Sequence, residues 1–474
     1  MSAAACIRRA GARALVALLV GTALALAAPA ARAMTIERVV SPLGIEAWLV
    51  RDHALPMIAV EFAFLGSAEQ DPADKPGVAH MAASLLDEGA GPYDAMAFSG
   101  RLDGKAIELS FRAGRDYFRG TLRTLKDNRD EAFDLLRLAL TEPRFDEPAV
   151  ERTRAQVMSR LRRETVSPND IASLNWWATA FPDHPYGRPV NGTLESVPLI
   201  TVDDMKALLR RTLARNTIKL AIVGDIDAET AGALIDRTFG ALPAKAELTL
   251  VPNIAPQGLG KRIVIQLDVP QAVVNFGGPG IARSDPDFMA AYIVNHILGG
   301  GSFTSRLYRE VREKRGLAYG VHDHLVWLNH TALMIGSTAT RSDATGQTIE
   351  IIEREIRRLA DEGPTEAEFA KAKTYLKGSF ALGLDTSSRI ASQLVQMQLD
   401  NLGIDYIERR AAMIDAVTLA DAKRVAKRLL DGGLLVTVVG RPEGVTSTES
   451  AAGTSPNQLA KPRETPADRE PAQR

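Results

Sequence analysis

The sequence predicts an α+β fold built from two homologous halves, and three observations carry that expectation. The first is an echo in letters: Ile218-Lys-Leu-Ala-Ile-Val-Gly224 resembles Leu434-Leu-Val-Thr-Val-Val-Gly440. The second is that a helix opened by Thr-x-x-Asp precedes each run, at Thr201 to Asp204 and at Thr418 to Asp421. In that pattern the Thr hydroxyl accepts from an early helical N–H, which marks a helix start. The third is that strand and helix signals recur in the same order, at roughly 200 residues per copy.

Each element follows from a local pattern. In the first half, 45–50 and 57–65 read as strands and 77–87 as a helix. A second strand pair covers 106–112 and 117–122, followed by amphipathic helices over 127–140 and 147–164. Residues 201–213 form a helix, 217–224 a buried strand and 227–239 a helix. The second half repeats this with strands at 262–267 and 272–277, helices at 286–298 and 305–314, and strands at 318–327 and 331–338. Helices over 343–362, 365–382 and 418–430 precede a last buried strand at 433–440. Each pair of adjacent strands is expected to be a hairpin, so the sheets are mostly antiparallel.

These elements divide the chain. Residues 34–245 form the first domain and 262–444 the second. Between them 246–261 holds Pro252, Pro256, Gly258 and Gly260 and reads as a linker. Residues 445–474 carry almost no large apolar side chain and are expected to be disordered. At the other end, Arg8, Arg9 and Arg13 precede an apolar run over 14–28 and an Ala31-Arg-Ala33 cleavage site. Residues 1–33 are thus expected to be an export signal, its apolar run being short for a membrane span.

Composition narrows the function. The only cysteine is Cys6, so the chain after the signal has no disulfide and no cysteine metal site. A large disulfide-free exported protein is expected in a bacterial periplasm. Without 1–33 the charge falls from −1 to about −5, which argues against a nucleic-acid partner. No later segment is long and apolar enough for stable membrane insertion. There is no serine nucleophile elbow, and Gly299-Gly-Gly301 lacks the Gly-Lys-Ser/Thr of a phosphate loop, so it reads as a helix stop.

Two stretches carry chemistry. The first is Gly77-Val-Ala-His80-Met-Ala-Ala83-Ser84. It resembles the zinc helix of the M16 peptidases, the family of pitrilysin and the mitochondrial processing peptidase. There, Gly-x-Ala leads into H-x-x-E-H; two His bind zinc and the Glu is the general base. In this chain His80 remains, while Ala83 and Ser84 stand at the Glu and second His positions. The family's third ligand, a Glu about 75 residues on, falls near Ser159 or Arg160, and the acids nearest to it are Glu151 and Glu164. The resemblance therefore implies a degenerate motif and no metal held by this chain. His80, Ser84 and Glu88 share a helical face with Asp87 nearby, which leaves a rebuilt site as the alternative to a retained structural histidine.

The second stretch runs from Leu298-Gly-Gly-Gly-Ser-Phe-Thr-Ser305 through Arg312 to Gly316-Leu-Ala-Tyr319. It is similar to the signature of the family's second domain over more than twenty residues. In two-chain bacterial members, the non-catalytic subunit holds substrate with an Arg and a Tyr seven residues apart, and Arg312 and Tyr319 match that pair. The resemblance spans about residues 35–444. It implies two M16 domains facing each other as a clamshell around a polar chamber. It also implies a peptide or unfolded polypeptide substrate and a partner subunit of the M16B type that bears the intact zinc motif. The cofactor, zinc, is then expected in the partner and not in this chain. The other reading of the function is a non-enzymatic peptide-binding or assembly protein, with Arg312 one of several solvated charges. Two weaker features remain: His322 and His324 lie on one face of a strand, and Asp183-His-Pro-Tyr186 resembles a family loop lying against the first domain.

Overall fold

The computed structural model describes residues 34–450. The export signal expected over 1–33 and the tail past 450 lie outside the described residues. The first half contains β1 (Glu37–Val40), β2 (Glu46–Arg51), β3 (Met57–Leu65), α1 (Val78–Ala83), α2 (Ala95–Gly104), β4 (Glu108–Ala113) and β5 (Tyr117–Leu125). It continues with α3 (Arg129–Thr141), α4 (Glu147–Glu164), α5 (Pro168–Ala180), α6 (Val202–Thr212), β6 (Lys219–Gly224) and α7 (Ala228–Phe239). The second half contains β7 (Arg262–Gln266), β8 (Gln271–Pro279), α8 (Phe288–Asn295), β9 (Ala318–Trp327) and β10 (Ala332–Arg341). It ends with α9 (Thr345–Glu362), α10 (Glu366–Leu382), α11 (Ser387–Leu399), α12 (Tyr406–Ala416), α13 (Leu419–Leu430), β11 (Leu435–Gly440) and β12 (Glu449–Ser450).

The two halves share one topology except at the edge strands, β1 opening the first half and β12 closing the second. The first sheet is ordered β1-β2-β6-β3-β5-β4 and the second β12-β7-β11-β8-β10-β9, so every strand has a counterpart at the same position. The expected hairpins β4–β5 and β9–β10 are present. The expected hairpins β2–β3 and β7–β8 are not, because β6 and β11 lie between their strands. β6 runs parallel to β2 and antiparallel to β3, and β11 relates to β7 and β8 in the same way. Burial explains the insertion. β11 is buried along its whole length and β6 at every residue after Lys219, so each needs a neighbour on both edges and cover on both faces.

Other boundaries also move. The helix expected over 77–87 stops at Ala83, where the Ser84 hydroxyl bonds back to the His80 carbonyl. The helices expected over 286–298 and 305–314 end as π-helical turns, His296–Gly300 and Arg309–Glu313. The disorder expected over 445–474 does not hold for the first of those residues. Thr448 donates its N–H to Arg262, and β12 then pairs in parallel with β7, satisfying that strand's outer edge. The Thr201 and Thr418 capping boxes form as expected.

One face of the first sheet carries α1, α3, α6 and α7 over a core containing Phe62, Phe64, Phe98, Phe118, Phe133 and Phe239. The other face is covered from outside that half. α11, from the second half, packs on β6 and β3, while α5, from the first half, packs on β11 and β8. The two helices make matching bonds. Trp176 on α5 donates its indole N–H to the Leu435 carbonyl at 3.1 Å, and Gln398 on α11 donates to the Leu220 carbonyl at 2.9 Å. Thr437 on β11 also donates to the Ala172 carbonyl at 3.0 Å. Gly277 clears the tryptophan's bed: a Cβ there would lie 2.8 Å from the ring. From Arg38 onward the described residues of both halves belong to one compact unit.

Replacing Trp176 with Ala opens a ring-sized void and leaves the Leu435 carbonyl without its donor. Trp176→Ala is expected to lower stability by about 3–5 kcal/mol in urea unfolding, and a loss below about 1 kcal/mol would show that α5 does not seal the second sheet.

Candidate functional site

The degenerate motif sits at the start of α1. Gly77 opens this helix with φ 102°, and a Cβ on it would lie 2.8 Å from the Gly192 Cα, so the 189–193 loop packs against the helix start. The buried Asp71 carboxyl accepts from the N–H groups of Gly77 and Ala79, at 2.8 and 2.9 Å. It thus occupies the electropositive end of α1. Burial, which those bonds only partly offset, pushes its pKa up to about 7.

No zinc centre can be assembled from the residues around His80. Ala83 is buried and carries no base, and the Ser84 hydroxyl is spent on the helix backbone. On α4, where the third ligand would stand, Arg160 ion-pairs with Glu164 at 2.9 Å. Burial, reinforced by the Arg160 charge, pushes the His80 imidazole down to about 4 and keeps it neutral. Glu164 also accepts from Asn191, Glu151 pairs with Arg154, and Glu88 pairs with Arg152. Asp87 is pushed up to about 6, by burial and then by the Glu88 charge. Among the described residues no group of three or more His, Cys, Asp or Glu side chains is placed to hold a metal. One imidazole alone does not fit the three-ligand set that a catalytic zinc needs.

The Arg/Tyr stretch is arranged differently. Ser305 caps the segment, accepting from the Tyr308 N–H. Buried Arg306 then locks it to α10 through two bonds to Glu368, at 2.9 and 2.7 Å, and one to the Gly363 carbonyl. Its other cations are occupied: Arg309 pairs with Glu368, and Lys314 and Arg315 with Glu310. Among the described residues Arg312 has no carboxylate partner; its guanidinium stacks 4.4 Å from the Tyr319 ring and 5.1 Å from the Tyr308 ring. It belongs to the π-helical turn Arg309–Glu313, a geometry often found at functional sites. The family resemblance singled out Arg312 and Tyr319 as a pair, and the fold adds Tyr308 to it.

Behind this surface the Gly299–Gly301 run ends the first π-helical turn. A side chain at Gly299 would collide with buried Asp323, at 2.3 Å, and one at Gly301 would come within 3.1 Å of the His296 ring. His322 and His324 share one face of β9 with ring centroids 6.3 Å apart, and burial, then the His322 charge, lowers the His324 pKa. Two imidazoles with no third ligand do not make a metal centre.

The Asp183–Tyr186 loop joins the halves, in addition to lying against the first. Buried Tyr186 donates to Asp116 at the β4–β5 turn, and the other Asp116 oxygen accepts from the Asn329 N–H in the β9–β10 turn. Beside them Glu69 lies 3.4 Å from His330. Burial, then the Asp116 charge, pushes Glu69 up to about 8.

Residues 63–194 match the family profile described as "Insulinase (Peptidase family M16)", and residues 199–376 match "Peptidase M16 inactive domain". The chain is 27% identical to "Non-peptidase homolog YmxG" of Helicobacter pylori, over 79% of this chain and 86% of that protein. It is also 27% identical to "Uncharacterized zinc protease SCO5738" of Streptomyces coelicolor, over 86% and 90% respectively. A crystal structure of a peptidase M16 inactive domain from Pseudomonas fluorescens superposes with a TM-score of 0.81 at 26% identity, covering 88% of this chain and all of that one.

Two outcomes follow. Ser84→His should leave the protein without zinc by elemental analysis, whereas Ser84→His with Arg160→Glu should bind it. One zinc per chain in Ser84→His alone would remove the barrier assigned to Arg160. At the joint, the raised Glu69 pKa stabilises the fold at low pH, and that stabilisation is lost as pH rises toward 8. Glu69→Gln should therefore match the wild type near pH 5 and exceed it by about 1–2 kcal/mol above pH 8, read as thermal unfolding. Equal stability at both pH values would contradict the assignment.

Proposed function

This chain belongs to the M16 peptidase family, and we propose that within it the protein is the non-catalytic, substrate-binding subunit of a periplasmic M16B-type zinc peptidase heterodimer. A partner subunit with the intact zinc motif supplies the metal and the base. This chain supplies Arg312 and Tyr319 to the peptide held there. The observation that carries the reading is the contrast between its two motifs. The lone His of the zinc motif has Ala83 and a backbone-bonded Ser84 where the family motif has its base and second His, while Arg312 alone among the cations of its segment is left without a carboxylate.

The chemistry follows from that spare donor. Stacking on Tyr308 and Tyr319 fixes the guanidinium plane and leaves its N–H edge to donate. A peptide carbonyl, or the oxyanion that grows from it, is a matching acceptor. The Tyr319 phenol adds a second donor beside it. The chain's own work is to bind and orient the substrate; proton transfer and metal chemistry belong to the partner.

The printed name of the Helicobacter relative, "Non-peptidase homolog", favours a second reading. In it, the fold binds peptides or assembles with other proteins and takes no part in cleavage. One assay separates the two. Cleavage of an unstructured peptide would be followed with this chain, with the zinc-motif chain of the same organism, and with the mixture. Activity should appear in the mixture only. Arg312→Ala should lower kcat/KM by about 10²–10³-fold, as loss of one oxyanion donor does. No gain on mixing would leave the binding-protein reading.

A further inference from the structure

The large aromatic side chains exposed among the described residues are Phe303, Tyr319 and Tyr375, at 67%, 84% and 60%. A chain of contacts links all three. Tyr319 stacks on Arg312, Arg312 lies over Tyr308, and Phe303 meets the Tyr308 ring edge-on at 5.1 Å. Two residues before Phe303, the Gly301 backbone passes the His296 ring, which stacks on Tyr375 at 4.9 Å. The surface continues along α10. Leu382, two turns beyond Tyr375 on the same helical face, is 77% exposed, and Gly378 between them has open space above it.

Rings that merely shielded Tyr308 and His296 would themselves be covered. Phe303 and Tyr375 are not, so each presents a free apolar face on the surface that also carries the unpaired Arg312. Exposed apolar surface rimmed by polar groups marks a binding site. What it takes is set by its charges. Arg306, Arg309, Lys314 and Arg315 are already neutralised by Glu368 and Glu310, so the cations flanking Arg312 in its own segment are not open to a polyanion. A peptide meets both demands at once, with an apolar side chain for the rings and a backbone acceptor for Arg312.

Resting on the substrate-binding reading above, we infer that Phe303 and Tyr375 form an apolar subsite. It receives an aromatic or long aliphatic side chain of an extended peptide, while Arg312 holds a carbonyl oxygen of the same peptide. Arg312 then supplies affinity common to all peptides, and the two rings supply the preference among them.

The test uses the purified chain without its partner. Two fluorescently labelled decapeptides, identical except for a central Phe or Ser, are titrated by anisotropy. The Phe peptide should bind about tenfold more tightly, in keeping with burial of one ring. Phe303→Ser and Tyr375→Ser should each bring the ratio below about threefold, Phe303→Leu should retain it, and Arg312→Ala should weaken both peptides alike. A ratio near one in the wild type, or a ratio untouched by both serine variants, overturns the subsite. So does an unchanged ratio with a shift from dimer to monomer in sedimentation, which assigns the patch to a second copy of this chain. Because no partner is present, loss of the Phe preference with cleavage on mixing intact removes the subsite alone. The opposite result removes the heterodimer alone.

Discussion

Each half of this molecule closes its sheet with a helix that belongs to the other half. Helices of the first half cover one face of the first sheet, and without α11 the opposite face would expose β6 and β3 to water. The second sheet depends on α5 in the same way, through Trp176 lying on Gly277 and Val273 and Val439 packed against Ile171 and Ala172. The matching bonds from Trp176 and Gln398 to strand carbonyls set the depth and register of each helix, since a buried donor without an acceptor costs about 1–3 kcal/mol. Neither sheet is complete alone. The joint around Asp116, Tyr186 and Asn329 adds polar contacts to an association that apolar burial already enforces.

That rigidity bears on both motifs. The helix carrying His80 is held at its start by Asp71 and the Gly77–Gly192 contact, so its framework is fixed independently of any metal. The site has been filled with side chains that satisfy one another: Ser84 with its own helix, Arg160 with Glu164, Glu88 with Arg152. Around Arg312 the arrangement is reversed. Every neighbouring cation is tied down, and one donor is held ready between two rings.

Much of this was legible in the sequence where a local rule had no competitor. Capping boxes at Thr201 and Thr418 fixed two helix starts, and unbroken apolar runs identified β6 and β11 as buried strands. Their place between β2 and β3, or β7 and β8, was not legible, because adjacency in sequence favours a hairpin and only burial on both faces opposes it. The exchanged helices α5 and α11 were missed for a related reason. α5 carries apolar side chains on more than one face, including adjacent Trp176 and Trp177, so it lacks the single stripe that marks a surface helix. A signal did exist. Ser167 and Thr386 cap these helices, and each is followed four residues later by Ile-Ala-Ser, at Ile171 and at Ile390. At the candidate site, the match over residues 298–319 located Arg312 and Tyr319, but Tyr375 reaches that surface from α10 by tertiary folding alone.

The exchange of α5 and α11 also constrains ancestry. A half-length chain with this topology would have had nowhere to lay its exchanged helix except on the sheet of a second, identical chain. A symmetric swapped dimer of half-length chains would satisfy the same topology, and the 246–261 segment makes of two such partners one polypeptide. Once covalently joined, the copies no longer had to stay alike. In this chain the first half carries the lone His80 and the second the unpaired Arg312, while each half still lays a helix on the other's sheet.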